Sequence, residues 1–79
     1  MPVFITLSTT LRDCVPGYSP AQGLSIAWEG PITTGQLAEK IGLPVQEIKI
    51  IMHNGRYANL EQAVHNGDRV GYFPAIGGG

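Results

Sequence analysis

Apolar and polar residues alternate at the start of the chain. Val3, Ile5 and Leu7 interleave with Phe4, Thr6 and Ser8, the period-two pattern of a strand with two unlike faces. Residues 9–23 break the pattern with Pro16-Gly17 and Ser19-Pro20 and read as a long loop. Alternation returns with Leu24, Ile26 and Trp28 against Ser25, Ala27 and Glu29, so the first two strands form a hairpin with an enlarged connection. The period then lengthens. Leu37 and Ile41, four apart, share one face of a helix. Thr33 and Gln36 have capping-box spacing at its start, and Ile32 with Leu37 matches a hydrophobic staple. Gly42 fits the left-handed position after its last turn, and Pro44 forbids continuation. Gly35 in the first turn costs about 1 kcal/mol relative to alanine, so this short helix depends on packing.

Ile48-Lys49-Ile50-Ile51-Met52-His53 reads as a third strand, Asn54-Gly55 as a tight hairpin turn, and Arg56-Tyr57-Ala58 as a short return. Leu60, Ala63 and Val64 predict a single helical turn, with Asn59 and Gln62 at cap spacing. Asn66-Gly67-Asp68 leads into a last strand, in which Val70 and Tyr72 alternate with Arg69, Gly71 and Phe73. This order predicts an α+β fold of the β-grasp type: a mixed sheet of four to five strands packed on one main helix, with the first and last strands adjacent. The expected core is Val3, Ile5, Leu7, Leu24, Ile26, Leu37, Ile41, Ile50, Met52, Val64 and Val70. The same parity assigns Phe4, Thr6, Ile51, His53, Arg69, Gly71 and Phe73 to the face opposite the helix, an apolar patch with a basic edge suited to a partner. The domain spans 1–73, and 74–79 form a glycine-rich tail.

Composition narrows the function. With 79 residues, 43% of them hydrophobic and 14% charged, the chain is one folded domain. Five Lys and Arg and a net charge of −1 argue against nucleic-acid binding. No apolar run is long enough to span a bilayer, and the N-terminus has no signal-peptide pattern, so a cytoplasmic location is expected. Cys14 is the single cysteine, which excludes an internal disulfide and reads as inert. His53 and His65 have no carboxylate at ligand spacing, so no metal site is expected. Glu29, Glu39, Glu47 and Glu61 are scattered singly as a solvated surface. Trp28 follows the core parity of its strand and reads as packing. Arg56 and Arg69 are available to a partner or to water.

The most telling segment is the last: Phe73-Pro74-Ala75-Ile76-Gly77-Gly78-Gly79. A strand runs into residues that contribute nothing to a core and lack bulk at the tip. Such a tail fits a narrow site on another protein, with the Gly79 carboxylate as the working group. Extended from Pro74 to Gly79 it reaches roughly 20 Å, at about 3.3–3.6 Å per residue. Phe73 and Pro74 stiffen the exit, Gly77 and Gly78 keep the tip slender, and Phe4, Phe73 and Arg69 supply the docking surface.

Taken together, Gly67-Asp68-x-Val70, Phe73-Pro74 and the final Gly78-Gly79 resemble the ubiquitin-like sulfur carriers, and within them the small subunit of molybdopterin synthase. The resemblance implies a carrier rather than an enzyme, with no bound cofactor. An adenylating enzyme of the E1 type uses ATP to activate the Gly79 carboxylate. A sulfur donor protein converts the acyl-adenylate to a thiocarboxylate. The large synthase subunit then accepts the tail and passes the sulfur to a pterin precursor. The chemistry is coherent, because a carboxylate resists nucleophiles until adenylation provides a leaving group. Carriers for thiamine, tRNA thiolation or a tungsten cofactor, and ubiquitin-like protein modifiers, share this ending. A β-grasp binding module with an unreactive tail is the remaining alternative.

Overall fold

The computed structural model describes residues 2–19, 21–27 and 31–74. Strand β1 (Val3–Leu7) is followed by a 3-10 helix over Thr9–Cys14, then β2 (Leu24–Ile26), β3 (Ile32–Thr33) and helix α1 (Thr34–Ile41). A 3-10 turn over Val45–Glu47 leads into β4 (Ile48–His53), and β5 (Arg56–Ala58), β6 (Ala63–Val64) and β7 (Arg69–Pro74) complete the order. Five strands form one sheet in the order β2-β1-β7-β4-β5, and β3 pairs with β6 in a separate two-stranded ribbon. β1 and β7 are parallel, whereas β2, β4 and β5 pair antiparallel to their neighbours. This is the mixed sheet on one main helix that the alternation and the helix punctuation predict, a β-grasp fold.

The helix forms where its signals stand. Thr33 Oγ1 accepts the Gln36 N–H at 3.2 Å, and the Gln36 side chain accepts the Thr33 N–H at 2.9 Å. At the far end Gly42 takes φ 90°, and the N–H groups of Gly42 and Leu43 donate to Glu39 and Ala38 carbonyls. That is the Schellman arrangement. Gly35 has a packing reason as well: its N–H donates to the Leu60 carbonyl at 2.9 Å. A Cβ there would stand 3.0 Å from that oxygen, a tight contact that glycine avoids. The hairpin turn has the positive φ pair of a type I′ turn, 51° at Asn54 and 84° at Gly55.

The core lies between the helix and one face of the sheet. Val3, Ile5, Leu7, Ile51, Val70 and Tyr72 from the sheet meet Leu37 and Ala38 of α1, with Leu11, Ile32, Leu43 and Val64 closing the edges. Tyr72 is fully buried, and its hydroxyl donates to the Thr34 carbonyl at 2.6 Å, tying the middle strand to the first turn of α1. Burying each large side chain here contributes on the order of 1.5–3 kcal/mol.

Four expectations are corrected. Ile50 and Met52 are not core. Ile51 is 4% exposed and Ile50 37%, because the pairing shifts between Ile48, opposite Pro74, and Ile50, opposite Phe73. Lys49 is the extra residue of a bulge, and a bulge exchanges the two faces of the strand beyond it. Leu24, Ile26 and Ile41 are half-buried against the core rather than within it, the first two because β2 is an edge strand. The loop after β1 contains a 3-10 helix that buries Leu11. Finally, residues 60–64 form no helical turn: Asn59 Oδ1 accepts the Glu61 N–H at 3.1 Å, and Ala63–Val64 pair with β3. Trp28 and Glu29 lie outside the described residues.

Candidate functional site

Two features meet at β7. The first is its exit. β7 is the middle strand of five, paired to β1 on one side and β4 on the other, and it carries Phe73 and Pro74 to its end. Pro74 is buried opposite Ile48, so the folded body takes in one residue more than the 1–73 boundary. Proline lacks the N–H that would donate to the ladder at this position. Gly77, Gly78 and Gly79 lie outside the described residues.

The second feature is the sheet face turned away from the helix. Phe4 pairs with Arg69, Thr6 with Gly71, and Phe73 follows on the same face. Phe4 and Phe73 are half-buried and Arg69 is exposed, so three of the residues expected to dock a partner stand on one surface. Ile51 and His53, also expected there, are on the helix side. Their places are taken by Ile50 and Met52, with Tyr57 beside Met52 on β5 and 80% exposed. No Asp or Glu occupies a position of this face among the described residues. Sequence parity missed Ile50 and Met52. The clue was the adjacent pair Ile50-Ile51, where strict alternation fails.

The entry to β7 is held by a polar clasp. Asp68 Oδ2 accepts from His53 Nε2 at 2.8 Å and from the His65 N–H at 2.8 Å, and Oδ1 accepts from Asn54 Nδ2 at 3.1 Å. Asn54 in turn accepts the Arg69 N–H at 2.8 Å. An ionised carboxylate only accepts, so His53 Nε2 carries the hydrogen. Burial by itself would raise the Asp68 pKa; the hydrogen bonds from His53, His65 and Asn54 outweigh it and bring the value from 3.8 down to about 2. The Gly67-Asp68 motif therefore pins the β4–β5 turn to the start of the middle strand. Its role is structural.

Little else in the described residues offers chemistry. No group of three or more His, Cys, Asp or Glu among them is arranged to hold a metal ion. Cys14 is half-buried at the end of its 3-10 helix, with Sγ 3.9 Å from the Thr10 carbonyl. No described helix is long and apolar enough to cross a membrane. What the site can do is hold a protein surface beside the end of β7 and present whatever follows Pro74.

Comparison with known proteins agrees with this architecture. The solved structure of SAMP1 from Haloferax volcanii is similar over 100% of both chains, with a TM-score of 0.69 at 20% sequence identity, a likeness of fold. No curated protein matches the chain. The family model for Mut7-C ubiquitin matches residues 1–77. With that match across nearly its whole length, the chain belongs to the Mut7-C ubiquitin family and has the β-grasp fold of the ubiquitin-like sulfur carriers.

Proposed function

We propose that the protein is a sulfur carrier whose reactive group is the carboxylate of Gly79. The observation that carries this reading is where the tail is attached: Ala75 to Gly79 follow in sequence from the middle strand of the sheet, whose open face is apolar and, among the described residues, without carboxylates. A tip anchored on the most protected strand is positioned by the whole fold once that face has docked. Docking then supplies proximity, which makes the transfer effectively intramolecular.

In the proposed sequence the Gly79 carboxylate attacks the α-phosphorus of ATP on an E1-like adenylating enzyme, and pyrophosphate leaves. Sulfide delivered by a donor protein attacks the acyl carbon, AMP leaves with the electrons of the broken C–O bond, and a thiocarboxylate results. The carrier binds no cofactor of its own and provides no general base. The proposed location is the cytoplasm. The finer assignment is to the small subunit of molybdopterin synthase, with the large subunit as acceptor. It is supported by Phe73-Pro74 at fixed distance from Gly78-Gly79 and by Gly67-Asp68-x-Val70 before them.

Intact-protein mass spectrometry after incubation with the adenylating enzyme, ATP and a sulfur donor tests the reading. A mass increase equal to one oxygen-for-sulfur exchange, located on Gly79, is the expected result. Conjugates on lysine side chains would instead mark a modifier, and an unchanged mass a binding module with an unreactive tail. Co-purification with a large synthase subunit tests the finer assignment.

A further inference from the structure

The open sheet face contains a recess with a glycine at its floor. Gly71 is buried in β7, and a Cβ built on it would stand 3.1 Å from Thr6 Oγ1 and 3.4 Å from the Phe73 ring. Glycine inside a strand commonly marks a close approach, and here the Thr6 hydroxyl and the Phe73 ring are the groups that come close. Around it, Phe4 and Thr6 of β1, Met52 of β4, and Arg69 and Phe73 of β7 line a half-open recess of about 230 Å³. Sites that engulf small molecules occupy about 300–1,000 Å³. The recess is too small for a nucleotide or a fused-ring cofactor and has room for one bulky side chain.

The walls define the occupant. Phe4, Met52 and Phe73 are apolar. Arg69 is exposed at the rim, and its guanidinium makes no hydrogen bond or ion pair among the described residues. Among the described residues, no carboxylate shares this face to neutralise it.

We infer that the Gly71 recess is a socket for a partner protein that inserts one leucine- or phenylalanine-sized side chain flanked by a carboxylate, which pairs with Arg69. This gives the proposed carrier's partner a chemistry, and it rests on the carrier reading only for which protein supplies that side chain. The apolar group gains by desolvation in the recess, and the ion pair fixes its orientation and rejects basic surfaces.

The test uses the full chain labelled with ¹⁵N and two probes: an acetylated Glu-Phe-Glu amide and its Lys-Phe-Lys counterpart. The acidic peptide should shift the amides of Thr6, Arg69 and Gly71 and bind about three- to tenfold more tightly than the basic one, the range that a partly exposed charge pair and its like-charge reverse allow. Arg69→Glu should invert that preference while leaving the rest of the amide spectrum in place. Gly71→Val, which fills the recess, should remove binding of both; if that variant does not fold, Arg69→Glu decides alone. Equal binding of the two peptides, shifts centred on another surface, no binding at all, or an unchanged preference in Arg69→Glu would overturn the socket. The tail is unmodified throughout, so the outcome is independent of whether Gly79 ever accepts sulfur.

Discussion

At the scale of single residues, Asp68 makes stability depend on acid. Its folded pKa of about 2 lies below the ordinary 3.8, so the unfolded chain binds the proton more readily. The clasp therefore stabilises fully above about pH 4 and is lost as pH falls toward about 2. Thermal unfolding followed by circular dichroism should show a plateau above about pH 4 and a decline below it. In Asp68→Asn that decline should be shallower. At neutral pH, Asp68→Ala should cost about 2 kcal/mol, because charged hydrogen bonds are lost and His53 and Asn54 keep unpaired donors. Identical acid profiles for the two proteins would remove Asp68 from this role. Gly78 belongs to the same scale, for a different reason. Gly78→Val should leave the unfolding curve unchanged yet abolish ATP–pyrophosphate exchange with the adenylating enzyme, since a β-branched side chain blocks a narrow channel. Normal exchange would show that a slender tip is not required.

Elements show which signals in a sequence can be trusted. Helix α1 was legible because each end carries its own chemistry: Thr33 and Gln36 cap it, and Gly42 with Pro44 ends it. The Asn54-Gly55 hairpin was legible for the same reason, since its backbone needs positive φ at both residues. β1 and β7 obey strict alternation, so Phe4, Arg69 and Phe73 were assigned to one face correctly. β4 was misread because its one clue, the adjacent pair Ile50-Ile51, does not say which residue is extra; Lys49 is extra only relative to β7. The β3–β6 ribbon was invisible because two residues make too short a period. The contribution of Tyr18 was equally hidden, as its hydroxyl accepts the Leu7 N–H at 2.8 Å from a distance of eleven residues along the chain. Paired substitutions test the observed register of β4. Ile51→Ala should destabilise by about 2–5 kcal/mol, the range for emptying a core position, while Ile50→Ala should stay within about 0.5–1 kcal/mol. Denaturant unfolding of the two variants gives the comparison, and the reverse ranking would restore the alternation read from the sequence.

As a whole molecule, the protein separates its two tasks. The helix side holds the core, and the opposite face, apolar with Arg69 at its rim, is the one proposed to meet a partner. Between them runs β7, which contributes Val70 and Tyr72 to one side and Arg69, Gly71 and Phe73 to the other. One strand thus joins the core, the proposed docking face and the attachment of the tail, and that arrangement follows from the alternation of its side chains. The fold was legible in the order of elements, and half of the docking face in their parity. The proposed reactive end is readable only as a motif, because its chemistry would lie in a carboxylate rather than in a constellation of side chains. The most direct test is to add a single alanine after Gly79 and measure sulfur transfer in a reaction of purified carrier, adenylating enzyme, ATP, sulfur donor and acceptor, with no protease present. The unextended protein should deliver sulfur and the extended one none, although both fold alike. Equal delivery by the extended protein would contradict the account at its centre.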